Sequence, residues 1–183
     1  MRVITGSARG RRLKELQGMD TRPTTGKVKE CLFSIIQFDI EGRRVLDLFA
    51  GTGQLGIEAL SRGAAEAVFV EKRMDAVRLI KENLALCQLQ DEARVHMGDA
   101  LAYLRSGEKF DLIFLDPPYS TDLLDQALEM IATFDICRAH GIIAVESAVE
   151  KTLPAVSAPY RVYREYRYGK IKLTVYHRDG NEV

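Results

Sequence analysis

The chain of 183 residues lacks the features that mark membrane-spanning, secreted and metal-binding proteins. No apolar run approaches the roughly 20 residues that a membrane-spanning helix needs, and the N-terminus becomes basic without an apolar signal segment. The three cysteines, Cys31, Cys87 and Cys137, are widely spaced without a metal-ligand pattern, so we expect reduced thiols, no disulfides and no metal site. Internal repeats are absent as well. These absences predict a cytoplasmic protein with no membrane partner.

A net charge is also missing, because 26 Lys and Arg balance 26 Asp and Glu. The balance conceals an asymmetry along the chain. Residues 1–30 carry eight basic against three acidic side chains (+5), residues 151–178 carry seven against one (+6), and residues 31–150 carry eleven against twenty (−9). Basic ends around an acidic centre fit either ordinary solvated termini or a polyanion bound by both ends together. Charge alone leaves both interpretations open.

Hydrophobic periodicity predicts strands that alternate with helices. The predicted strands are 45–49, 67–70, 94–97, 110–115 and 142–146, followed by a closing hairpin of 160–168 and 171–178. The predicted helices are 26–37, 55–62, 74–86 and 123–134. Short, nearly continuous apolar strands between helices indicate a buried parallel sheet. We expect an α/β fold with a doubly wound, mostly parallel sheet, an antiparallel C-terminal hairpin and a short N-terminal hairpin and helix extension.

The simplest domain organisation at this length is a single domain over residues 1–183. Within it we expect a basic N-terminal extension, 1–40, and a sheet, 41–183, that binds a cofactor and carries the catalytic residues.

A glycine loop follows the first predicted strand. Gly51, Gly53 and Gly56 match the dinucleotide fingerprint, and Glu71 lies twenty residues after Gly51 at the next strand end. Glycines allow a positive φ and a close approach of ligand to backbone, and a carboxylate such as Glu71 can accept hydrogen bonds from both hydroxyls of a ribose. This pattern alone serves a nicotinamide-dependent oxidoreductase and a methyltransferase equally.

Carboxylates at four consecutive strand ends separate these two activities. Asp47 would repel a pyrophosphate but attract the α-ammonium group of S-adenosylmethionine, and Asp99 is placed to accept from an adenine amine. Asp116 ends the next strand. Each acid alone is more simply a cap or a solvated loop residue, but parallel strands end at one sheet edge, where ligands of open sheets bind. The series of Asp47, Glu71, Asp99 and Asp116 therefore favours S-adenosylmethionine.

Residues 116–119 read Asp-Pro-Pro-Tyr directly after an apolar strand. Pro117 and Pro118 lack N–H donors and hold the backbone extended, so the strand cannot continue inside a sheet. The corner presents the Asp116 carboxylate, backbone carbonyls and the flat ring of Tyr119, a set that suits an exocyclic amine on a planar base. The simpler alternative is a strand-terminating turn with a capping aspartate.

With these motifs the chain closely resembles the RsmD-type methyltransferases over essentially its whole length. The matching segments are 9–11, 21–25, 45–53, 59–64, 69–72, 98–100, 116–119 and 167–169. The resemblance implies transfer of a methyl group from S-adenosylmethionine to the N2 amine of a guanine in 16S ribosomal RNA, with S-adenosylhomocysteine as the product. It implies a catalytic corner of Asp116, Pro117, Pro118 and Tyr119, and these cofactor-binding residues: Asp47, Phe49, Ala50, Gly51, Thr52, Gly53, Glu71, Lys72, Asp99 and Ala100.

The expected partner is small-subunit ribosomal RNA or an assembling 30S subunit, bound by a monomer. The basic N-terminal segment and C-terminal hairpin should flank the corner and grip the RNA backbone together. The residues expected to do so are Arg9, Arg11, Arg12, Arg22, Thr24, Arg167 and Lys170.

The nearest alternative activity is DNA adenine N6-methylation, which uses the same corner and cofactor. About thirty N-terminal residues and a short hairpin are all that lie outside the predicted cofactor sheet, which leaves little mass for reading a DNA groove. Protein-glutamine methylation gains little from a basic surface. A dinucleotide-dependent oxidoreductase is the remote alternative from another class, together with an RNA-binding relative that has no catalytic activity.

Overall fold

The computed structural model describes residues 1–16, 26–119 and 121–180. The strands are β1 (Arg44–Asp47), β2 (Glu66–Glu71), β3 (Ala93–Met97), β4 (Phe110–Leu115), β5 (Cys137–Ala148), β6 (Tyr160–Tyr168) and β7 (Ile171–Arg178). The helices are α1 (Gly26–Ile35), α2 (Gln54–Ser61), α3 (Met74–Cys87), α4 (Ala100–Tyr103) and α5 (Leu123–Thr133), with a 3-10 turn over Leu104–Ser106. No helix in these described ranges has the length and apolar character needed to cross a bilayer.

All seven strands form one sheet in the order β3-β2-β1-β4-β5-β7-β6. Strands β1 to β5 run parallel to one another, whereas β7 runs antiparallel to both β5 and β6. The chain moves outward from β1 to β3 and then returns to β4 on the other side of β1. This reversal is the point at which open α/β sheets bind ligands, beyond the carboxyl ends of their strands. The predicted doubly wound sheet with an antiparallel hairpin is confirmed.

The central strands are buried on both faces. Val45, Phe69 and Phe114 pack with α1, α2 and α3 on one face, while Leu46 and Ile113 pack with α4 and α5 on the other. Double burial explains why these strands read as continuous apolar runs instead of alternating patterns. The helices therefore cover the two faces and leave the carboxyl edge of the sheet accessible.

The N-terminal segment forms the predicted short hairpin and docks on α2. Arg2 and Arg12 make an antiparallel bridge, and the backbone N–H groups of Ile4 and Thr5 donate to the carboxylate of Glu58 at 2.8 and 3.0 Å. Glu58 is fully buried and also lies 3.1 Å from the Nζ of buried Lys29 on α1. One internal carboxylate thus joins the hairpin, α1 and α2.

Several element boundaries differ from the sequence prediction. Helix α4 and the 3-10 turn were missed because four and three residues are too short to establish a helical period. Strand β5 begins at Cys137 instead of residue 142. Between these two positions its pairing with β4 shifts register, and His140 adopts a φ of 60°. The sequence there resembles a turn, and the irregularity hides the strand. The three cysteines are free thiols.

Candidate active site

A cavity of about 520 Å³ opens at the carboxyl edge of the parallel strands. Its wall contains all four residues of the Asp-Pro-Pro-Tyr corner and nine of the ten residues predicted to bind the cofactor: Asp47, Phe49, Ala50, Gly51, Thr52, Glu71, Lys72, Asp99, Ala100, Asp116, Pro117, Pro118 and Tyr119. Gly53, the tenth, is buried behind the wall. The structure therefore gathers residues from four strand ends around one volume, within the 300–1,000 Å³ typical of small-molecule sites.

The glycine loop depends on glycine for two different reasons. Gly51 and Gly53 adopt φ values of 54° and 79°, a region that strains residues with a Cβ. Gly56 instead allows α2 to approach β2, because an added Cβ would lie 2.3 Å from the ring of Phe69. Only the first two glycines therefore shape the loop backbone around the cavity.

Glu71 holds the glycine loop against the end of β2. One carboxylate oxygen accepts the N–H of Gly51 and the other accepts the N–H of Arg73, both at 2.9 Å. A carboxylate oxygen can accept more than one hydrogen bond. The side chain can thus position the loop and still receive hydroxyl donors from a ligand.

Asp47 is a buried acid whose pKa lies well above its ordinary value. Its carboxylate is 2% exposed and accepts the N–H of Gly56 at 3.0 Å. Burial raises the pKa of Asp47 to about 7, opposed by the hydrogen bond from Gly56 and assisted by the nearby charge of Glu71. A cation arriving in the cavity would stabilise the ionised form.

Asp99 begins α4 at the cavity wall. Its carboxylate accepts the N–H of Ala102 at 2.9 Å and so caps the helix. The Asp99 side chain therefore caps α4 and would also have to accept the predicted hydrogen bond from an adenine amine.

Tyr119 is anchored at the corner by a residue that the sequence analysis missed. Its hydroxyl donates to a carboxylate oxygen of Glu146 at 2.7 Å, and Glu146, at the predicted end of the fifth strand, is 5% exposed. Because Leu115 pairs with Val145 across β4 and β5, one further step of the register puts Asp116 beside Glu146. The rule applied to the other four strand ends, a carboxylate after an apolar run, would have identified Glu146 as well.

Two buried amides near the cavity also escaped prediction. Gln54 lines the cavity, and its Oε1 atom has no hydrogen-bond partner among the described residues. Asn83 is fully buried; it accepts the N–H of Lys14 at 2.8 Å and donates to the carbonyl oxygen of Thr52 at 3.0 Å. Asn83 therefore connects the N-terminal segment to the glycine loop, and Leu16 continues from there into the cavity wall.

The residues predicted to bind RNA fall in different places. Arg9, Arg11 and Arg12 are exposed, but the hairpin turn that carries Arg9 is held by Ser61, where Ser7 and Ala8 donate at 2.8 and 3.0 Å. Ser61 ends α2, so this turn lies at the far end of that helix from the glycine loop.

The remaining predicted RNA-binding residues belong to two other segments. Arg22 and Thr24 lie outside the described residues. Arg167 and Lys170 are exposed near the β6–β7 turn, and Ile171 pairs with both Ala148 and Tyr168. These pairings put the turn at the sheet edge that carries Asp116.

Comparisons with known proteins give a consistent result. A family model described as conserved hypothetical protein 95 matches residues 1–177. The chain is 41% identical over 184 residues to "Putative rRNA methyltransferase YlbH" of Bacillus subtilis, covering 98% of this chain and 100% of that protein. It is 35% identical over 181 residues to "Ribosomal RNA small subunit methyltransferase D" of Escherichia coli, covering 98% and 91%. The solved structure of "Putative methyltransferase yhhF from Escherichia coli" superposes with a TM-score of 0.89 at 35% identity over 99% of both chains.

Proposed function

The chain belongs to the conserved hypothetical protein 95 family, whose match spans residues 1–177, and on that premise we propose that it methylates the N2 amine of a guanine in 16S ribosomal RNA with S-adenosylmethionine. The observation that carries the proposal is the single cavity shared by the glycine loop, Glu71 and the Asp-Pro-Pro-Tyr corner. The residues proposed to bind the cofactor and those proposed to bind the amine line this one volume. Relatives named as rRNA and small-subunit rRNA methyltransferases support the RNA substrate.

The acceptors around the cavity support S-adenosylmethionine over a dinucleotide. Asp47, Glu71 and Asp99 offer carboxylates, and the buried Oε1 of Gln54 has no donor among the described residues. A buried acceptor without a donor is costly, so a ligand rich in N–H and O–H donors and in positive charge suits this wall. When bound, S-adenosylmethionine supplies a methyl group activated by a sulfonium. A pyrophosphate, which brings negative charge and few donors, would be repelled.

The proposed task of the corner is to restore the nucleophilicity of the target amine. The lone pair of guanine N2 is delocalised into the ring, which makes the amine a poor nucleophile. The Asp116 carboxylate and the Pro117 backbone carbonyl can each accept one N–H, favouring a pyramidal nitrogen whose lone pair faces the methyl group. A hydrogen bond to a carboxylate is stronger than a neutral one, and positioning of this kind lowers barriers by about 7–11 kcal/mol.

Proton balance gives Asp116 a second role. As the nitrogen–carbon bond forms and the sulfur–carbon bond breaks, the nitrogen carries one proton too many. The Asp116 carboxylate, already hydrogen-bonded to that nitrogen, accepts the proton. The base must first be unpaired or flipped to reach this position.

The exposed ring of Tyr119 supplies a stacking surface for the flipped base, with its hydroxyl anchored on Glu146. We expect Tyr119→Ala to weaken RNA binding by about 1–3 kcal/mol, the usual contribution of base–aromatic stacking. Tyr119→Phe, which retains the ring, should lose less. Fluorescence anisotropy with labelled RNA measures both variants, and equal losses would exclude a stacking role for the ring.

We expect Glu71→Ala to weaken binding of S-adenosylmethionine by about 1–3 kcal/mol, because ribose hydroxyls lose their acceptor. The N–H of Gly51 loses its partner in the same variant, which adds to the effect. Calorimetric titration measures the change. The matched control is Glu92→Ala. Glu92 is an exposed acid that precedes β3, at the edge of the sheet where the parallel strands begin. Equal affinities of the two variants would remove Glu71 from the cofactor site.

Cofactor binding should release a proton from Asp47 below neutral pH. Its folded-state pKa of about 7 lies above its ordinary value, so the free protein keeps this carboxyl protonated until the pH approaches 7. A cationic α-ammonium group favours the ionised form, and affinity should therefore rise between pH 5 and pH 7. Titrations in buffers of different ionisation enthalpy detect the released proton. Asp47→Asn should remove the dependence, and a buffer-independent heat in the wild type would contradict the assignment.

The decisive experiment offers hypomethylated small subunits, naked 16S RNA and genomic DNA with radiolabelled S-adenosylmethionine, then maps the modified atom. We expect label on guanine N2 of the small-subunit RNA. Label on adenine N6 of DNA would establish the alternative activity, and binding of NAD without binding of S-adenosylmethionine would overturn the cofactor assignment. Because the proposed substrate is ribosomal, we also propose a cytoplasmic location. We propose that the protein is a monomer, and light scattering measures its molar mass in solution.

A further inference from the structure

The outermost strand of the sheet carries a basic and aromatic surface that the cofactor cavity does not use. We propose that this surface, Arg161, Tyr163 and Arg164 of β6, hereafter the β6 track, binds the single-stranded RNA that leads away from the target guanine. The inference rests on the proposed RNA methyltransferase function and extends it by naming the path of the substrate.

The topology connects the β6 track to the catalytic corner. Strand β6 ends at Tyr168, opposite Ile171 and at the sheet edge that carries Asp116. It lies three strands from β4 in the sheet order, roughly 14 Å away at about 4.8 Å per strand. From Tyr168 back to Arg161 the strand descends roughly 23 Å at about 3.3 Å per residue. RNA leaving the corner across the β6–β7 turn would therefore meet β6 along its length.

The charge of the β6 track suits phosphate. Arg161 and Arg164 are exposed and lie on one face of the sheet, because they pair with His177 and Val175 of β7. Lys170 adds a cation at the turn. The single acid of the strand, Glu165, faces Lys172 at 3.4 Å and Thr174 at 3.4 Å, and Asp179 pairs with Arg161 at the opposite end. Residues 160–179 carry six basic against two acidic side chains, a net charge of +4, which leaves a positive field, whereas residues 31–150 are acidic.

A stacked aromatic pair, Tyr163 and His177, lies between Arg161 and Arg164. A register shift between Val162 and Arg164 leaves Tyr163 outside the ladder, and irregularities of this kind change the direction of a side chain. The ring of Tyr163 stacks on His177, with centroids 4.2 Å apart and planes 11° apart, while the guanidinium of Arg164 lies 5.6 Å from the ring centre. Tyr163 nevertheless remains 47% exposed.

Arginines interleaved with an exposed ring favour RNA over a protein partner. Sequence-independent binding of single strands combines a cationic groove with aromatic or guanidinium planes on which bases stack. Burial and the nearby charge of Arg161 lower the pKa of His177, which favours the neutral imidazole that packs against the ring of Tyr163. Arginine on an edge strand also discourages pairing with another sheet, so the test must separate these two roles.

The first test removes charge from the β6 track. The variant R161Q/R164Q should lower the slope of log affinity against log salt for 16S RNA by about 1.4, at about 0.7 per phosphate contact in a single strand. The control R78Q/K81Q removes the same charge from exposed positions of α3 and should leave the slope unchanged. Affinity for S-adenosylmethionine should stay at the wild-type value in both.

The second test asks which nucleotides lie on the β6 track. A photoreactive benzoylphenylalanine in place of Tyr163 should cross-link RNA several nucleotides from the methylated guanine. The same group in place of exposed Phe134, which follows α5 on the other face, should not.

The outcomes distinguish this inference from the proposed function. If the wild type methylates RNA but R161Q/R164Q keeps the wild-type salt slope, the β6 track is overturned and the function stands. An unchanged slope together with self-association in light scattering would assign the arginines to protection of the sheet edge alone. Absence of RNA methylation by the wild type would overturn the function itself.

Discussion

Replacing Asp116 with alanine should lower the turnover of RNA methylation by about 10²–10⁴-fold, the usual contribution of a positioned acid or base. The reason is chemical: the carboxylate both accepts an N–H of the target amine and receives its surplus proton. Affinity for S-adenosylmethionine should change by less than about threefold, because Glu71 and the glycine loop are separate from this contact. Single-turnover methylation and calorimetric titration on the same preparation measure the two quantities.

Two further variants sharpen the result. Asp116→Asn keeps the shape and one acceptor oxygen but loses the charge, so its turnover should fall between those of wild type and alanine. Asp122→Ala alters an exposed acid six residues later at the start of α5 and should retain nearly full turnover. A turnover of Asp116→Ala close to wild type would leave Asp116 as a cap of the β4 turn and refute the mechanism.

The largest loss of stability should follow from Glu58→Ala. Glu58 and Lys29 are both fully buried and 3.1 Å apart, and removing one partner of a buried pair costs about 3–5 kcal/mol. Burial already lowers the pKa of Lys29 against the opposing attraction of Glu58. Without that carboxylate the ammonium loses its ion-pair partner, and the N–H groups of Ile4 and Thr5 lose their acceptor.

Urea unfolding measures this loss, and a surface pair provides the control. Glu82→Ala removes the exposed ion pair with Lys14 and should cost no more than about 1 kcal/mol. Hydrogen exchange adds a local readout, since the amides of Ile4 and Thr5 should lose protection in Glu58→Ala alone. A free energy of unfolding within 1 kcal/mol of wild type would mean that water or a rearrangement compensates the buried charge.

The sheet could be predicted because each strand is marked by residues that are close together in the sequence. Apolar runs bounded by glycines and acids identified each strand, and the strand order follows from their alternation with helices. The resemblance to RsmD-type methyltransferases is confirmed by relatives and by the family match. The same local rule located Asp47, Glu71, Asp99 and Asp116, which do line one cavity. Their individual roles in binding and catalysis stay predictions.

What the sequence did not predict depends on contacts between distant residues. Glu146 reaches Tyr119 across 27 positions, and Asn83 reaches Lys14 across 69. The polar character of these residues was visible, but their partners were not, because no periodicity relates them. The docking of the N-terminal hairpin on Glu58 and Ser61, which fixes where Arg9 lies, has the same origin.

That docking has a consequence for the order in which the protein is made. Residues 4, 5 and 8 leave the ribosome before their hydrogen-bond partners on α2, which lie 53 and 54 positions later, and the partner of Lys14 lies 69 positions later. At roughly 5–20 residues per second, the N-terminal segment waits roughly 3–14 seconds for these partners. Until Glu58 is made, the backbone N–H groups of Ile4 and Thr5 lack their acceptor, and the basic N-terminal segment stays undocked beside a ribosome made of RNA.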